Sequence, residues 1–236
     1  MGDPSLATFG PTFQIDTFPP GQRSPPGPAA ASLPRPVASS PKRDRLTGAR
    51  ATSRIALYVV PMVELRALTD EDIKAHNAGE DDETVRWLSG RAGTVGSTRR
   101  HFARLAENAS RGVGKRGFGI WLDDQLAGYI DFDPDTNDLP AAGDVNISYA
   151  VHPWARRRAV ATTAVLLVCN YIAVEDIGDR AIIRADPENT ASLGVAEHCG
   201  FRFIAAITSM SDHSPDGSPV VYETYALDLR DRADAR

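Results

Sequence analysis

The residues whose types and spacing best fit a reaction centre run Asp144-Val145-Asn146-Ile147-Ser148-Tyr149-Ala150-Val151-His152-Pro153-Trp154-Ala155-Arg156-Arg157-Arg158-Ala159-Val160-Ala161-Thr162. A β-forming segment ends at His152-Pro153, a short loop of small and basic residues follows, and a helical pattern begins. Such a turn aims free backbone amides and the positive end of a helix dipole at one point, an arrangement that suits a phosphate or pyrophosphate. Arg156, Arg157 and Arg158 add charge, while Ala159 and Ala161 leave room for an anion to approach. Three arginines at a helix start oppose the dipole, so helix stability alone gives no reason for them. The competing reading is a solvated basic turn. Asp144, at the other end of the strand, is either a carboxylate available for proton transfer or a cap following Gly143.

The elements that must position these groups are legible as changes of period. Leu57 to Leu68 is rich in β-formers and alternates from Val63 onward, predicting a strand. Thr69 stands as an N-cap before Asp70-Glu71-Asp72 and a short helix through Ile73. A second helix is expected from about Ser97 to Asn108, ended by Gly112, Gly114 and Gly117. Phe118, Ile120 and Leu122 alternate, Asp123-Asp124-Gln125 turns, and Leu126 to Phe132 returns as a hairpin. Asp144–Val151 is the next strand. Apolar residues at helical spacing from Arg157 to Val174 give a long helix. A strand over Arg180–Ala185, a helix from Asn189 to Cys199 stopped by Gly200, and strands over Phe201–Thr208 and Val220–Leu229 complete the pattern. A hairpin combined with strand–helix–strand crossovers predicts a mixed sheet, class α/β (α+β).

The composition divides the chain. Overall it has 236 residues, 26 Lys+Arg and 31 Asp+Glu, for a net charge of −5. Residues 1–50 hold 10 of the 17 prolines and 6 basic against 3 acidic side chains, leaving a net −8 on the remainder. The expectation is a disordered Pro-rich tail over residues 1–53, a domain over 54–230 and a short C-terminal tail over 231–236. An acidic domain excludes a strongly basic nucleic-acid module. No apolar run reaches the length of a membrane span, and the N-terminus lacks a secretory pattern. Cys169 and Cys199 have no partner at metal-ligand spacing, so they read as buried thiols of a reducing, cytoplasmic compartment, and no metal site is expected.

The Arg156-Arg157-Arg158-Ala159-Val160-Ala161 run resembles the acyl-CoA-binding motif of the GNAT acetyltransferases, patterned Arg/Gln-x-x-Gly-x-Gly/Ala. Asn189-Thr190-Ala191-Ser192 through Gly200-Phe201 resembles the family's second motif, and Val63 to Asp72 its first strand and helix. With the hairpin near Asp124 and Gly128, the resemblance covers about residues 60–229. Its details are most similar to the Rim-type branch, which acetylates ribosomal proteins and small amines. The resemblance implies a mostly antiparallel sheet of about seven strands and acetyl transfer from acetyl-CoA to a primary amine, of a protein N-terminus, a side chain or a small molecule. It implies backbone pairing of the pantetheine arm near Tyr149 and Val151. It places the pyrophosphate on Arg156, Arg157, Arg158, Ala159, Val160, Ala161 and Thr162, with Asn189 and Ser192 beside the arm, and makes Asp144 the base.

Two departures stand out. The loop, with Arg157 and Ala159, carries none of the family's glycines, and Ala196 replaces the tyrosine that many members use as general acid. Tyr149, Ser148 or a group in the Ser209–Pro219 loop is then left to protonate the thiolate, unless solvent does. The alternatives to an enzyme are a CoA-binding, catalytically weak regulatory module, and a domain using the basic turn for another phosphate ligand. The acidic runs Glu80-Asp81-Asp82-Glu83 and Asp131/Asp133/Asp135 are either solvated surface or a means of steering a cationic amine. Trp87, Trp154 and His213 are candidates for the rim of the site. The oligomeric state is open, a homodimer included.

Overall fold

The computed structural model describes residues 62–214 and 217–230. The predicted tails, the domain start at 54–61, the strand beginning at Leu57 and the loop residues Pro215 and Asp216 fall wholly or partly outside them. Strand β1 (Val63–Arg66) is followed by a 3-10 turn (Asp70–Asp72) and α1 (Ile73–Ala78). Thr69 starts this turn as expected, with the Asp72 carboxylate accepting from its backbone N–H at 2.8 Å. A segment read from sequence as a plain acidic run is instead helical: α2 (Asp82–Thr84) continues into a π-helical turn (Val85–Ser89). Asp81 makes it so, because its carboxylate accepts from the Thr84 N–H at 2.9 Å and caps the first turn.

Helix α3 (Val95–Arg111) starts two residues earlier than expected, at a Thr94–Ser97 reciprocal cap, and ends at left-handed Gly112. Strands β2 (Arg116–Leu122) and β3 (Gln125–Asp133) form the predicted hairpin. Its two-residue turn holds Asp123 at φ 49° and Asp124 at φ 63°, the conformation that matches strand twist. β4 (Asp144–Val151) and β5 (Arg180–Ala185) fall where the sequence placed them. Helix α4 (Val160–Val174) begins three residues later than Arg157, and α5 (Thr190–His198) follows β5. β6 (Arg202–His213) extends beyond Thr208 and pairs with β7 (Pro219–Asp228).

The seven strands form one sheet in the order β1-β2-β3-β4-β5-β7-β6, antiparallel throughout except for the β4–β5 pair. Alternation sorts the side chains of the central strands. On one face Ile130, Phe132, Val145 and Ile147 bury against Val160, Ala164, Val168 and Ile172 of α4, with Ala196 and Cys199 alongside. On the other, a smaller cluster of Ile73, Phe102, Leu105 and Tyr129 seats α1 and α3. Polar residues of β3 and β4 face the same side as this second cluster, and there the chemistry collects. Among the described residues no helix is long and apolar enough to cross a membrane.

Candidate active site

The parallel pairing of β4 with β5 covers only Asp144–Arg180, Val145–Ala181 and Asn146–Ile182. β5 continues to Ala185 on β7, and β4 continues to Val151 on β3, so the two strands part after Asn146. From Ile147 to Val151 the β4 edge has no β5 partner, leaving amide and carbonyl groups that an extended ligand can pair with. Tyr149 and Val151 lie on this free edge. The Tyr149 hydroxyl donates to the Ser192 carbonyl at 3.3 Å, which brings α5 beside the opening. Burial pushes Tyr149 up to about 12, so it stays a neutral phenol. Asn189 caps α5, its Oδ1 accepting from the Ser192 N–H at 3.1 Å. The structure therefore brings Tyr149, Asn189 and Ser192 together.

Beyond the end of β4 lies the basic turn. Arg157 (φ 59°) and Ala159 (φ 58°) occupy the left-handed region that favours glycine. Ala159 falls where the resembled motif carries glycine, so there the backbone is kept although the residue is not. The positive φ of both residues also explains why helical geometry starts only at Val160. The first intrahelical closure is from the Thr163 N–H to the Ala159 carbonyl at 3.0 Å, so the Val160, Ala161 and Thr162 amides of a 15-residue helix are left pointing outward. Arg157 is exposed, and Arg158 is half-exposed with Nη2 3.9 Å from Asp123.

Arg156 departs from the expectation. Its Nη1 donates to Asp81 and Glu83 at 2.7 and 2.8 Å, its Nη2 to Asp81 and Thr84 at 2.7 and 3.1 Å, and its Nε to the Val151 carbonyl at 2.9 Å. All five N–H donors are taken. Arg156 thus ties the start of α2 to the end of β4 rather than presenting free charge to a phosphate, and it holds the Asp81 carboxyl well below the usual carboxylate range. Arg86 makes a second tie, its Nη2 2.6 Å from Glu188 just before α5. Trp87 lies under the Arg86 guanidinium and shares a cleft of about 390 Å³ with Asn189, Thr190 and Ala191. Trp154 is exposed and His213 lies at the exposed end of β6.

Asp144 likewise has a different task. It is 2% exposed, and its two oxygens accept from Arg180 Nε and Nη2 at 2.7 and 2.8 Å and from the Ala141 N–H at 2.9 Å. It sits where β4 and β5 are still paired and clamps them together. Oδ2 thus takes two donors and Oδ1 one, all three from the protein itself.

The groups that face a cavity were mostly missed in the sequence. A pocket of about 360 Å³ opens on the α1–α3 side of the sheet, and its floor includes Ser148 and Ala150 on alternate positions of β4 and His152 just past its end. Its walls carry His76, Glu80, His101, Lys115, Tyr129 and Asp131, with Thr84 and Leu88 from the α2 segment. Tyr129 OH donates to Asp131 Oδ2 at 2.8 Å and meets His101 Nε2 at 2.9 Å. Lys115 Nζ lies 3.3 Å from Asp131 Oδ1. Burial lowers His101 and His152 to about 4 and lowers His76, so the three rings are neutral near pH 7. Burial raises the Asp131 carboxyl, with Lys115 and Tyr129 pulling it back. The one available signal for this cluster was period: Tyr129 and Asp131 share a face of β3, opposite Ala150 and Ser148 of β4.

With this geometry in place, the comparisons with known proteins are specific. A family model described as "Acetyltransferase (GNAT) domain" matches residues 63–202. The chain belongs to the GNAT acetyltransferases, a family whose enzymes use acetyl-CoA as co-substrate. Among solved structures it is similar to RimL, a ribosomal L7/L12 alpha-N-protein acetyltransferase in complex with CoA, at 18% identity and TM-score 0.62 over 73% of this chain and 96% of that one. Mycobacterium smegmatis RimJ in complex with CoA-disulfide gives 22% identity and TM-score 0.61 over 72% and 83%. The microcin C7 self-immunity acetyltransferase MccE, solved with acetyl-CoA and AMP, gives 12% and 0.59 over 70% and 92%. At these identities the likeness establishes the fold. A search of the curated proteins returns no match. Among the described residues no cluster of His, Cys, Asp and Glu is arranged to hold a metal ion.

Proposed function

We propose that this protein transfers the acetyl group of acetyl-CoA to a primary α-amine, such as a protein N-terminus. The observation that carries this reading is the parting of β4 from β5 after Asn146, with outward amides at one end and the histidine-lined pocket against the same β4 residues. The free β4 edge from Ile147 to Val151 suits the amide-bearing pantetheine arm. The amides of Val160, Ala161 and Thr162, with Arg157 and Arg158, suit a pyrophosphate. When bound, acetyl-CoA supplies an activated acyl carbon. The chain's own part is to align an amine with that carbon, exclude water and accept a proton.

The pocket argues for an α-amine over a lysine. None of its histidines is basic enough to deprotonate an ammonium group, since His101 and His152 sit near 4. At pH 7.5 roughly a third of an ordinary α-amine is already neutral, against roughly one lysine amine in a thousand. The similarity to RimL, a ribosomal L7/L12 alpha-N-protein acetyltransferase, supports the same choice.

The regulatory alternative draws on the glycine-free turn, where Arg157 and Ala159 crowd the anion site. Thiol release separates the two readings. Purified protein with acetyl-CoA and a panel of free N-terminal peptides should liberate CoA thiol with amide formation, and Nα-blocked lysine peptides should react far more slowly. Acetyl-CoA binding without turnover on any amine favours the regulatory module, and no binding at millimolar acetyl-CoA removes both.

A further inference from the structure

Asp131 is the only carboxylate in the pocket with a buried oxygen that makes no hydrogen bond. The residue is 3% exposed; Oδ2 accepts from Tyr129, while Oδ1 has an ion-pair neighbour in Lys115 but no aligned donor. An oxygen left so in a buried site forgoes a favourable interaction unless a ligand supplies the donor. Its position is also telling. Asp131 pairs across the strands with Ser148, on the stretch of β4 that has parted from β5, and both residues line the cavity.

We infer that Asp131 Oδ1 receives the N–H of the acceptor amine and acts as the general base, an inference that rests on the acetyl-transfer reading above. The amine nitrogen bonds to the acetyl carbon and the carbon–sulfur bond breaks. One amine proton passes to Asp131, and the departing CoA thiolate takes a proton from solvent, so amide and thiol are the products. The Tyr129 hydroxyl donates to Asp131 Oδ2 at 2.8 Å and so leaves Oδ1 to take the proton, which returns to solvent when the product departs. Asp131 is thus the catalytic residue, and Tyr129 positions it. Burial raises the Asp131 carboxyl, which makes it a better proton acceptor, while Lys115 opposes the rise.

Asp131→Asn preserves volume. With its carbonyl kept on Tyr129, it turns an amide N–H toward the space where the amine nitrogen would lie. The expected result is a loss of about 100-fold or more in kcat, within the usual worth of a positioned base, with acetyl-CoA affinity by calorimetry within threefold of wild type. A second readout needs no turnover. Without acetyl-CoA, the wild type should bind a free N-terminal peptide at least tenfold more tightly than the same peptide N-acetylated, and Asp131→Asn should lose that preference. Tyr129→Phe, which removes the hydrogen bond that holds Oδ2 while leaving the carboxylate, should lower kcat about tenfold and keep the binding preference. That variant serves if circular dichroism finds Asp131→Asn unfolded. Turnover by Asp131→Asn, or by Tyr129→Phe where it stands in, within threefold of wild type would overturn the inference and leave acetyl transfer standing. An inert wild type that does not bind acetyl-CoA would overturn the underlying reading as well.

Discussion

Ala159→Gly should make this protein both more stable and tighter for acetyl-CoA. Ala159 is the N-cap of α4 at φ 58°, a conformation that costs an L-residue roughly 1–2 kcal/mol and glycine almost nothing. Glycine loses more freedom on folding, an opposing term of about 0.4–1 kcal/mol. Alanine is also a poor N-cap, which glycine improves on. The balance is a gain of roughly 0.5–1 kcal/mol, or about 1–4 °C in melting temperature for a domain of this size. Removing the methyl group beside the outward amides of Val160, Ala161 and Thr162 should also lower the acetyl-CoA dissociation constant severalfold. Scanning calorimetry with and without acetyl-CoA measures both, since a ligand that binds only the native state raises the midpoint further as its affinity improves. Arg157→Gly is the companion: it relieves φ 59° in the same way but removes a charge, so its affinity should fall at low salt and recover relative to wild type at high salt. A lower melting temperature for Ala159→Gly, or weaker acetyl-CoA binding, would refute the assigned turn geometry.

Other consequences follow from the ion pairs and the pocket. Asp144→Asn should destabilise by about 2 kcal/mol, because the buried partner of Arg180 is weakened, while kcat measured below the melting range stays close to wild type; a selective loss of kcat would return Asp144 to the chemistry. Asp81→Asn should cost about 1 kcal/mol in stability and raise the acceptor KM more than the acetyl-CoA KM, since it loosens the Arg156 tie that seats Thr84 and Leu88 in the pocket wall. Gly79→Ala should destabilise by about 1–3 kcal/mol, because a Cβ there would fall 2.2 Å from the His152 ring. Stability should also fall on acidification. His101 and His152 are held near 4 in the fold against 6.5 in an ordinary chain, so their contribution is complete above pH 6.5 and is lost progressively toward pH 4. Thermal melts across that range check it, with His101→Gln flattening the slope.

The strand, turn and helix that carry the candidate cofactor groups were legible because their physics is local. A strand ending in a turn of small residues before a helix is written in consecutive positions, and Asp144–Val151 and Arg180–Ala185 were placed to the residue. Family resemblance pointed to a pairing edge near Tyr149 and Val151, but the parting of β4 from β5 that frees it is encoded by no single segment. The pocket on the α1–α3 side was less legible: Asp131 stood out only as part of an acidic run, and His76, His101, Tyr129, Asp131 and His152 come from α1, α3, β3 and the residue after β4, which only the fold gathers. The ion-pair partners of Asp144 and Arg156 were not legible for a related reason. A charged side chain has no sequence signal for its partner, and theirs are Arg180, 36 positions away, and Asp81, 75 positions away. The α2 segment was missed because an acidic run hides a cap, although Asp81 with Thr84 three residues on is a cap spacing.

The central claim is acetyl transfer from acetyl-CoA to an amine, and the most direct test is mass spectrometry of free N-terminal peptides incubated with the full-length protein and acetyl-CoA. The predicted result is addition of one acetyl group at the peptide α-amine, dependent on both protein and acetyl-CoA and matched by stoichiometric release of CoA thiol. Peptides and a panel of small amines recovered unmodified, with acetyl-CoA intact, would contradict it.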